Sequence, residues 1–393
     1  MRDLRSHFRH FLGADPRRLH LAAHSHHLWP DVSRAAQIEA WDDAARLVDD
    51  KWGHVMGPVW REAQGHVARH LNLPDPATIV FAANTFEFWL RLLSCFPIDR
   101  RLRVLATDGE FHSFKRLSRR FVEDGSMAVE EVATEPHATF SERFAAAAKR
   151  GGHDIVLFSQ VFFGSGFEVT DIARLVEAVP DPGTFVVVDG YHGFLAVPTD
   201  LAPVAGRIFY LSGGYKYAMT GEGAAFMHCP PGYGPRPRAT GWYAAFSELA
   251  ASQNGEVAYA PDGFRFMGAT FDPTALYRFN AVMRWLDDLG IDARAVRVHA
   301  QGLQAAFVAA LERTKAPLRA ADLVVPLAET RRGSFLTFRR PDAAALHTSL
   351  AEAGIVTDVR ADRLRIGFGL YHAAEDAPRA AERIAAALAA QPA

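Results

Sequence analysis

The stretch FYLSGGYKYAMTGEGAAF, Phe209 to Phe226, places one lysine, Lys216, among glycines and aromatic residues directly after an apolar run. An amine desolvated by Tyr215 and Tyr217, and open to close approach through Gly213 and Gly214, is held deprotonated enough to attack a carbonyl. The same residue on an open loop would be an ordinary surface charge. Asp189 shifts the balance, because it ends the run FVVVDGYHGF one strand earlier and puts a carboxylate at a strand end. Alone, an aspartate there reads equally well as a turn or cap residue.

A lysine amine with such a carboxylate is the recurrent arrangement around pyridoxal phosphate, whose pyridinium nitrogen needs a charge partner. His192, three residues on, either hydrogen-bonds a ring hydroxyl or is a buried, satisfied histidine. In AANTFEFWLRLL, Asn84 and Glu87 have capping-box spacing, and the free N–H groups and dipole of the helix they open form an anion site. Phe111 or His112 in TDGEFHSF can stack on a planar ring, as any core aromatic can. Late in the chain, RLRIGFGLYH puts Arg363 and Arg365 on one strand face, and a guanidinium there grips a carboxylate bidentately. Arg363 reads more readily as a solvated edge residue.

These residues need a scaffold that gathers them. The runs at 78–84, 103–108, 154–160, 185–190 and 207–213 are apolar, β-rich and end in small or polar residues, with helical stretches between them. Continuous apolar strands imply a mostly parallel, doubly wound sheet with helices on both faces. Ligands bind beyond the C-terminal strand ends of such sheets, which makes Asn84, Asp108, Gln160, Asp189 and the 212–216 turn one neighbourhood. After about residue 290, helical stretches at 297–313, 342–353 and 375–390 flank strands at 335–340 and 363–369, giving a smaller α+β domain. The expected division is an arm over 1–50, a large α/β domain over 51–290 and the small domain over 291–393.

Composition excludes several classes. With 393 residues, 49% apolar and 22% charged, the chain has the balance of a globular protein with a large core. A formal net charge of -2 gives no electrostatic reason to expect nucleic acid or an anionic membrane. Two cysteines, Cys95 and Cys229, exclude a disulfide scaffold, and the N-terminal segment lacks the apolar core of a secretory signal, so a cytoplasmic protein is expected. His20, His24, His26 and His27 are dense, but no cysteine or carboxylate set completes a ligand shell, and no metal is expected.

The order of these motifs resembles the class V aminotransferase group of fold type I pyridoxal-phosphate enzymes, and within it kynureninase. The resemblance implies Lys216 as the Schiff-base lysine, Tyr215 with Asn84 and Thr85 as phosphate contacts, Asp189 as the ring-nitrogen partner, His192 as the histidine of Asp-x-x-His and Phe111 as the stacking ring. GWYAAF (241–246) is similar to a Gly-Trp-Trp segment, placing Trp242 near phosphate or substrate. MGATFDP (267–273) is similar to a turn that reaches across a dimer, so Thr270 completes a neighbouring subunit's site. The run at 354–372 places Arg365 on the substrate carboxylate, and AAHSHHLWP (22–30) brings His24 and Ser25 to the substrate. The implied protein is a homodimer acting on a small amino acid by hydrolytic Cβ–Cγ cleavage. An aminotransferase uses the same residues. Cysteine desulfuration and cofactor binding without turnover are weaker alternatives. Glu-Phe-His-Ser-Phe, FFGSG (162–166) and Gly214 depart from the family's Asn-Phe-Pro-Thr-Asp, Asn-Tyr-Arg-Thr-Gly and Cys-Ser-Tyr-Lys.

Overall fold

The computed structural model describes residues 2–232, 234–248 and 255–389. Twelve strands are formed among them: β1 (Leu19–His20), β2 (Ile79–Ala82), β3 (Leu102–Thr107), β4 (Met127–Val132), β5 (Ile155–Ser159), β6 (Phe185–Asp189), β7 (Ile208–Gly213), β8 (Ala225–His228), β9 (Leu336–Arg339), β10 (Ile355–Val356), β11 (Asp358–Arg360) and β12 (Arg363–Ile366). Seven make the central sheet, in the order β2-β8-β7-β6-β5-β3-β4. All pairs from β7 to β4 are parallel, while β8 runs antiparallel to both β2 and β7.

All five strand runs expected in this region are present. β5 and β7 are buried along their whole length, and β6 is buried up to Asp189. Their unbroken apolar runs follow from helices covering both faces, which leaves no solvent side for polar residues. Two strands of the central sheet, and the short β1, β10 and β11 outside it, are not evident in the sequence. β4 is half-exposed and carries Glu130 and Glu131. β8 is four residues of AFMH directly behind the glycine-rich turn.

Register aligns the chemistry. Ser159 stands opposite Asp189, and Asp189 opposite Leu211, so β5, β6 and β7 deliver their C-terminal ends to one edge. The helix Thr85–Leu93 packs against β7 and β8 and begins beside that edge.

The C-terminal layer is a three-stranded antiparallel sheet, β11-β12-β9, packed with the helices Ala293–Leu311, Ala343–Glu352 and Asp376–Ala389 around a second apolar cluster. The N-terminal arm joins the two layers. β1 pairs parallel with β10, Ala22 bridges Gly367, and the His27 N–H donates to the Tyr215 carbonyl at 3.1 Å. His24 is thereby carried in between them. Among the described residues no helix is long and apolar enough to cross a membrane.

Backbone crowding at the strand ends is severe. A Cβ on Gly190 would lie 1.9 Å from the Tyr210 ring, which is fully buried and donates its hydroxyl to Gln160 Oε1 at 2.8 Å. Gly190→Ala is therefore expected to lower unfolding free energy by about 1–3 kcal/mol in urea titrations, as overpacking does. Gly13→Ala, in the helix Arg9–Ala14 with nothing within 4 Å, should instead raise it by roughly 0.5–1 kcal/mol.

Candidate active site

The turn after β7 buries Lys216, leaving it 6% exposed. Its Nζ donates to His192 Nε2 at 2.7 Å and lies 5.1 Å from the centre of the Tyr191 ring, 5.8 Å from Phe111 and 5.9 Å from Tyr215. Burial pulls the amine down to about 7, the nearby Arg365 charge adds to that, and Asp189 opposes it. The free base, which is the nucleophilic form, is therefore far more populated than in a solvent-exposed lysine.

Asp189 is half-buried at the end of β6 and accepts the Tyr191 N–H at 2.9 Å. Burial pushes its carboxyl above the usual range, while that N–H and the Lys216 charge hold it down. His192 is kept neutral, since burial and then the charges of Lys216 and Arg365 press it well below its ordinary value. A neutral ring leaves Nε2 free to accept from the amine.

Phe111 is set by its neighbour Glu110. The Glu110 carboxyl is buried, accepts from Thr107 Oγ1 at 2.5 Å and Ser159 Oγ at 2.6 Å, and is pushed up to about 7 by burial. Anchored to β5 in this way, residue 110 leaves the next ring facing the lysine.

Asn84 caps the helix Thr85–Leu93 by accepting the Glu87 N–H at 3.2 Å. The capping box is half-formed, however. Glu87 turns to Arg91, at 2.6 Å, and does not reach back to the Asn84 N–H, because a buried arginine one turn away is the stronger partner. The remaining first-turn N–H groups have no intrahelical acceptors. Asn84 is exposed and Thr85 half-buried there. Tyr215 packs between Tyr191, at 4.7 Å, and His26, at 4.9 Å.

A second charged centre lies beside the lysine. Arg365, 1% exposed, donates Nη1 to the Phe163 carbonyl at 2.5 Å and pairs Nη2 with Asp358. Phe163 and Phe335 cover its guanidinium, at 4.6 and 5.4 Å from the ring centres. Burial draws it down to about 10, so it stays charged. Its Nε has no partner. His24 is fully buried, stacks on Phe335 at 4.5 Å, and lies 6.4 Å from His192 between ring centres. Neither ring nitrogen of His24 makes a hydrogen bond, and burial holds it down to about 3.

Lys216, Asp189, His192, Phe111, Tyr215, Arg365 and His24 thus share one neighbourhood. Three other expected residues make no such contact within the chain. The Ser25 hydroxyl faces His26 Nδ1 at 3.4 Å. Trp242 is 41% exposed and packs at a tilt against Tyr243 and Phe246, while Thr270 is exposed just before the helix Thr274–Asp288. The four clustered histidines diverge: His20 meets the Tyr371 hydroxyl at 2.6 Å, His26 faces outward and His27 accepts the Leu370 N–H at 3.0 Å. Among the described residues no group of three or more His, Cys, Asp or Glu side chains is arranged to hold a metal.

The sequence reading missed Tyr191, Phe163, Phe335, Asp358 and Arg360. For Asp358 a signal existed. A tight turn at Ala361 and Asp362 pairs Arg360 with Arg363 and hence Asp358 with Arg365, placing opposite charges face to face.

Comparison with known proteins agrees with this geometry. Residues 296–384 match the family model for the kynureninase C-terminal domain. The chain is 31% identical over 370 residues to kynureninase of Deinococcus radiodurans, covering 88% of this chain and 85% of that protein. It is 26% identical over 221 residues to kynureninase of Pseudomonas fluorescens, covering 54% and 51%. Among solved structures, a cysteine desulfurase from Thermococcus onnurineus NA1 superposes with a TM-score of 0.80 at 15% identity, over 100% of this chain and 99% of that one. A cysteine desulfurase from Escherichia coli gives 0.77 at 17%, over 98% and 97%. At such identities these two establish the fold alone, and it is the fold expected.

The electrostatics make a signed prediction for Lys216. In protein stripped of bound carbonyl compounds, NMR titration of 13C-methylated Lys216 should give a midpoint near 7. Arg365→Met should move it up by removing a repelling charge, and Asp189→Asn should move it down by removing an attracting one. A midpoint near 10.5, unmoved by either change, would contradict the geometry.

Proposed function

The chain belongs to the kynureninase family, and from that premise we propose that it is a pyridoxal-phosphate-dependent hydrolase that cleaves the Cβ–Cγ bond of kynurenine or a close aromatic relative. The observation that carries this reading is a buried amine, drawn down to about 7, facing a half-buried strand-end carboxylate and an aromatic ring.

The residues present fit the cofactor. A covalent anchor, a carboxylate for the pyridine nitrogen and a ring to stack on are supplied by Lys216, Asp189 and Phe111. Crowding at Gly213 and Gly214, where a Cβ would meet Tyr191 at 2.3 Å and Thr220 at 2.0 Å, keeps the backbone around the anchor bare. Asn84, Thr85 and Tyr215 would hold the phosphate, with the N–H groups of the helix N-terminus beside them. When bound, the cofactor supplies an electron sink for negative charge developing at Cα.

The chain's own residues do the rest. Arg365 binds the α-carboxylate, and its remaining N–H donors suit a bidentate grip. Lys216 accepts the Cα proton, a task matched to an amine that burial draws down toward neutrality. His192 stays neutral and hydrogen-bonds the lysine, fixing the direction of its lone pair. His24, Phe163 and Phe335 shape an apolar, aromatic wall, with the unpartnered His24 nitrogens available to a polar group on the substrate. Addition of one water to kynurenine then yields anthranilate and alanine.

We assign Trp242 and Thr270 to the site of a second copy. Trp242 and Phe246 form an exposed aromatic pair, 41% and 50% accessible, which a homodimer would cover.

The test is direct. Purified protein supplied with pyridoxal phosphate should turn yellow and convert kynurenine to equal amounts of anthranilate and alanine. Lys216→Ala should lower the rate by about 10³-fold or more. Formation of a keto acid with a new amino acid would make it an aminotransferase, and full turnover by Lys216→Ala would overturn the mechanism.

A further inference from the structure

One charged side chain at the site has no part in the mechanism above. Asp358 stands directly across β11 and β12 from Arg365 and is 7% exposed. Its Oδ2 takes Arg365 Nη2 and its Oδ1 takes Arg360 Nη1, so both oxygens are occupied by guanidinium groups. His24 Nε2 lies 3.7 Å from Oδ2.

The consequence for Arg365 is geometric. A guanidinium has five N–H donors. One is held by Asp358 and one by the Phe163 carbonyl, which together stop the group from turning in its own plane. The rings of Phe163 and Phe335 stop it from tilting out of that plane. The donor at Nε remains buried and unpaired. A buried donor without a partner is costly unless a ligand completes it. The charges also match: two arginines and one aspartate leave a surplus of one positive charge, which one carboxylate neutralises.

We propose that Asp358 is a positioning residue for the substrate's α-carboxylate, locking Arg365 in the one orientation that presents its unpaired donors to that group. The inference rests on the assignment of Arg365 to the carboxylate, and it extends that assignment to a residue that touches neither substrate nor cofactor. Arg360, 38% exposed, is the outer partner that keeps the second oxygen of Asp358 from turning away.

The test separates positioning from folding by using two ligands that differ only in the carboxylate. L-alanine and ethylamine are titrated into the pyridoxal-phosphate-loaded enzyme, and binding is read from the visible absorbance, without turnover. Asp358→Asn should weaken alanine roughly 10- to 100-fold and leave ethylamine within about threefold. Asp358→Glu, which keeps the charge on a longer stem, should recover part of the loss for alanine and again spare ethylamine. It also serves if the asparagine variant does not fold. Equal weakening of both ligands would overturn the proposal by showing a general fault, and so would unchanged alanine affinity. Failure of the wild-type enzyme to cleave kynurenine would sink the proposed substrate, yet the alanine and ethylamine comparison would still decide the role of Asp358.

Discussion

The site depends on keeping one amine out of water beside an arginine that never gives up its charge. Lys216 is buried among Tyr191, Phe111 and Tyr215, and Arg365 adds repulsion from the neighbouring layer. Either effect alone would lower the amine, but burial is the larger. Asp189 prevents the descent from going too far, since its charge favours the ammonium. The outcome near neutrality sets burial and the Arg365 charge against the Asp189 carboxylate, the three held by different elements of the fold.

Such a balance needs rigid placement, and the sheet supplies it. β5, β6 and β7 are parallel and in register, so Ser159, Asp189 and Leu211 stand side by side, with Gly213 ending β7 two residues further on. Glycine at 190, 213 and 214 lets neighbouring side chains fill the space over the backbone, with Tyr210, Tyr191 and Thr220 packed where a Cβ would otherwise stand. The arm from β1 to Trp29 then crosses the opening, hydrogen-bonded to the turn that holds the lysine. Its His24 enters the second centre as an uncharged ring, because complete burial outweighs the Asp358 carboxylate 3.7 Å from its Nε2.

Much of this was readable from residue types. Strands buried on both faces announce themselves as unbroken apolar runs, and their polar last residues mark the ligand edge. β4 was hidden because an edge strand can carry glutamates on its open side, and β8 because four residues are too few to show a period. Lys216, Asp189 and Phe111 were legible since each lies at, or within four residues after, the C-terminal end of a strand. The walls of the second centre were not: Phe163 and Phe335 lie far apart in the chain, and only tertiary folding lays both rings on Arg365. The Glu87 side chain shows the same limit, as local spacing pointed to a cap while the buried Arg91 won the carboxylate.

The two cationic centres also explain why one is a lysine and the other an arginine. Both are buried and each disfavours the charge of the other, so the group with the lower intrinsic affinity for its proton yields first. Lysine yields and becomes a base; arginine, drawn down only to about 10, keeps its charge for a carboxylate. Asp358 sharpens the division. It lies against Arg365 and so protects that charge preferentially, while its field at Lys216 is largely cancelled by Arg360 and Arg365. Exchanging the two residue types would give a static charge where a proton must move and a titrating amine where a fixed anchor is needed.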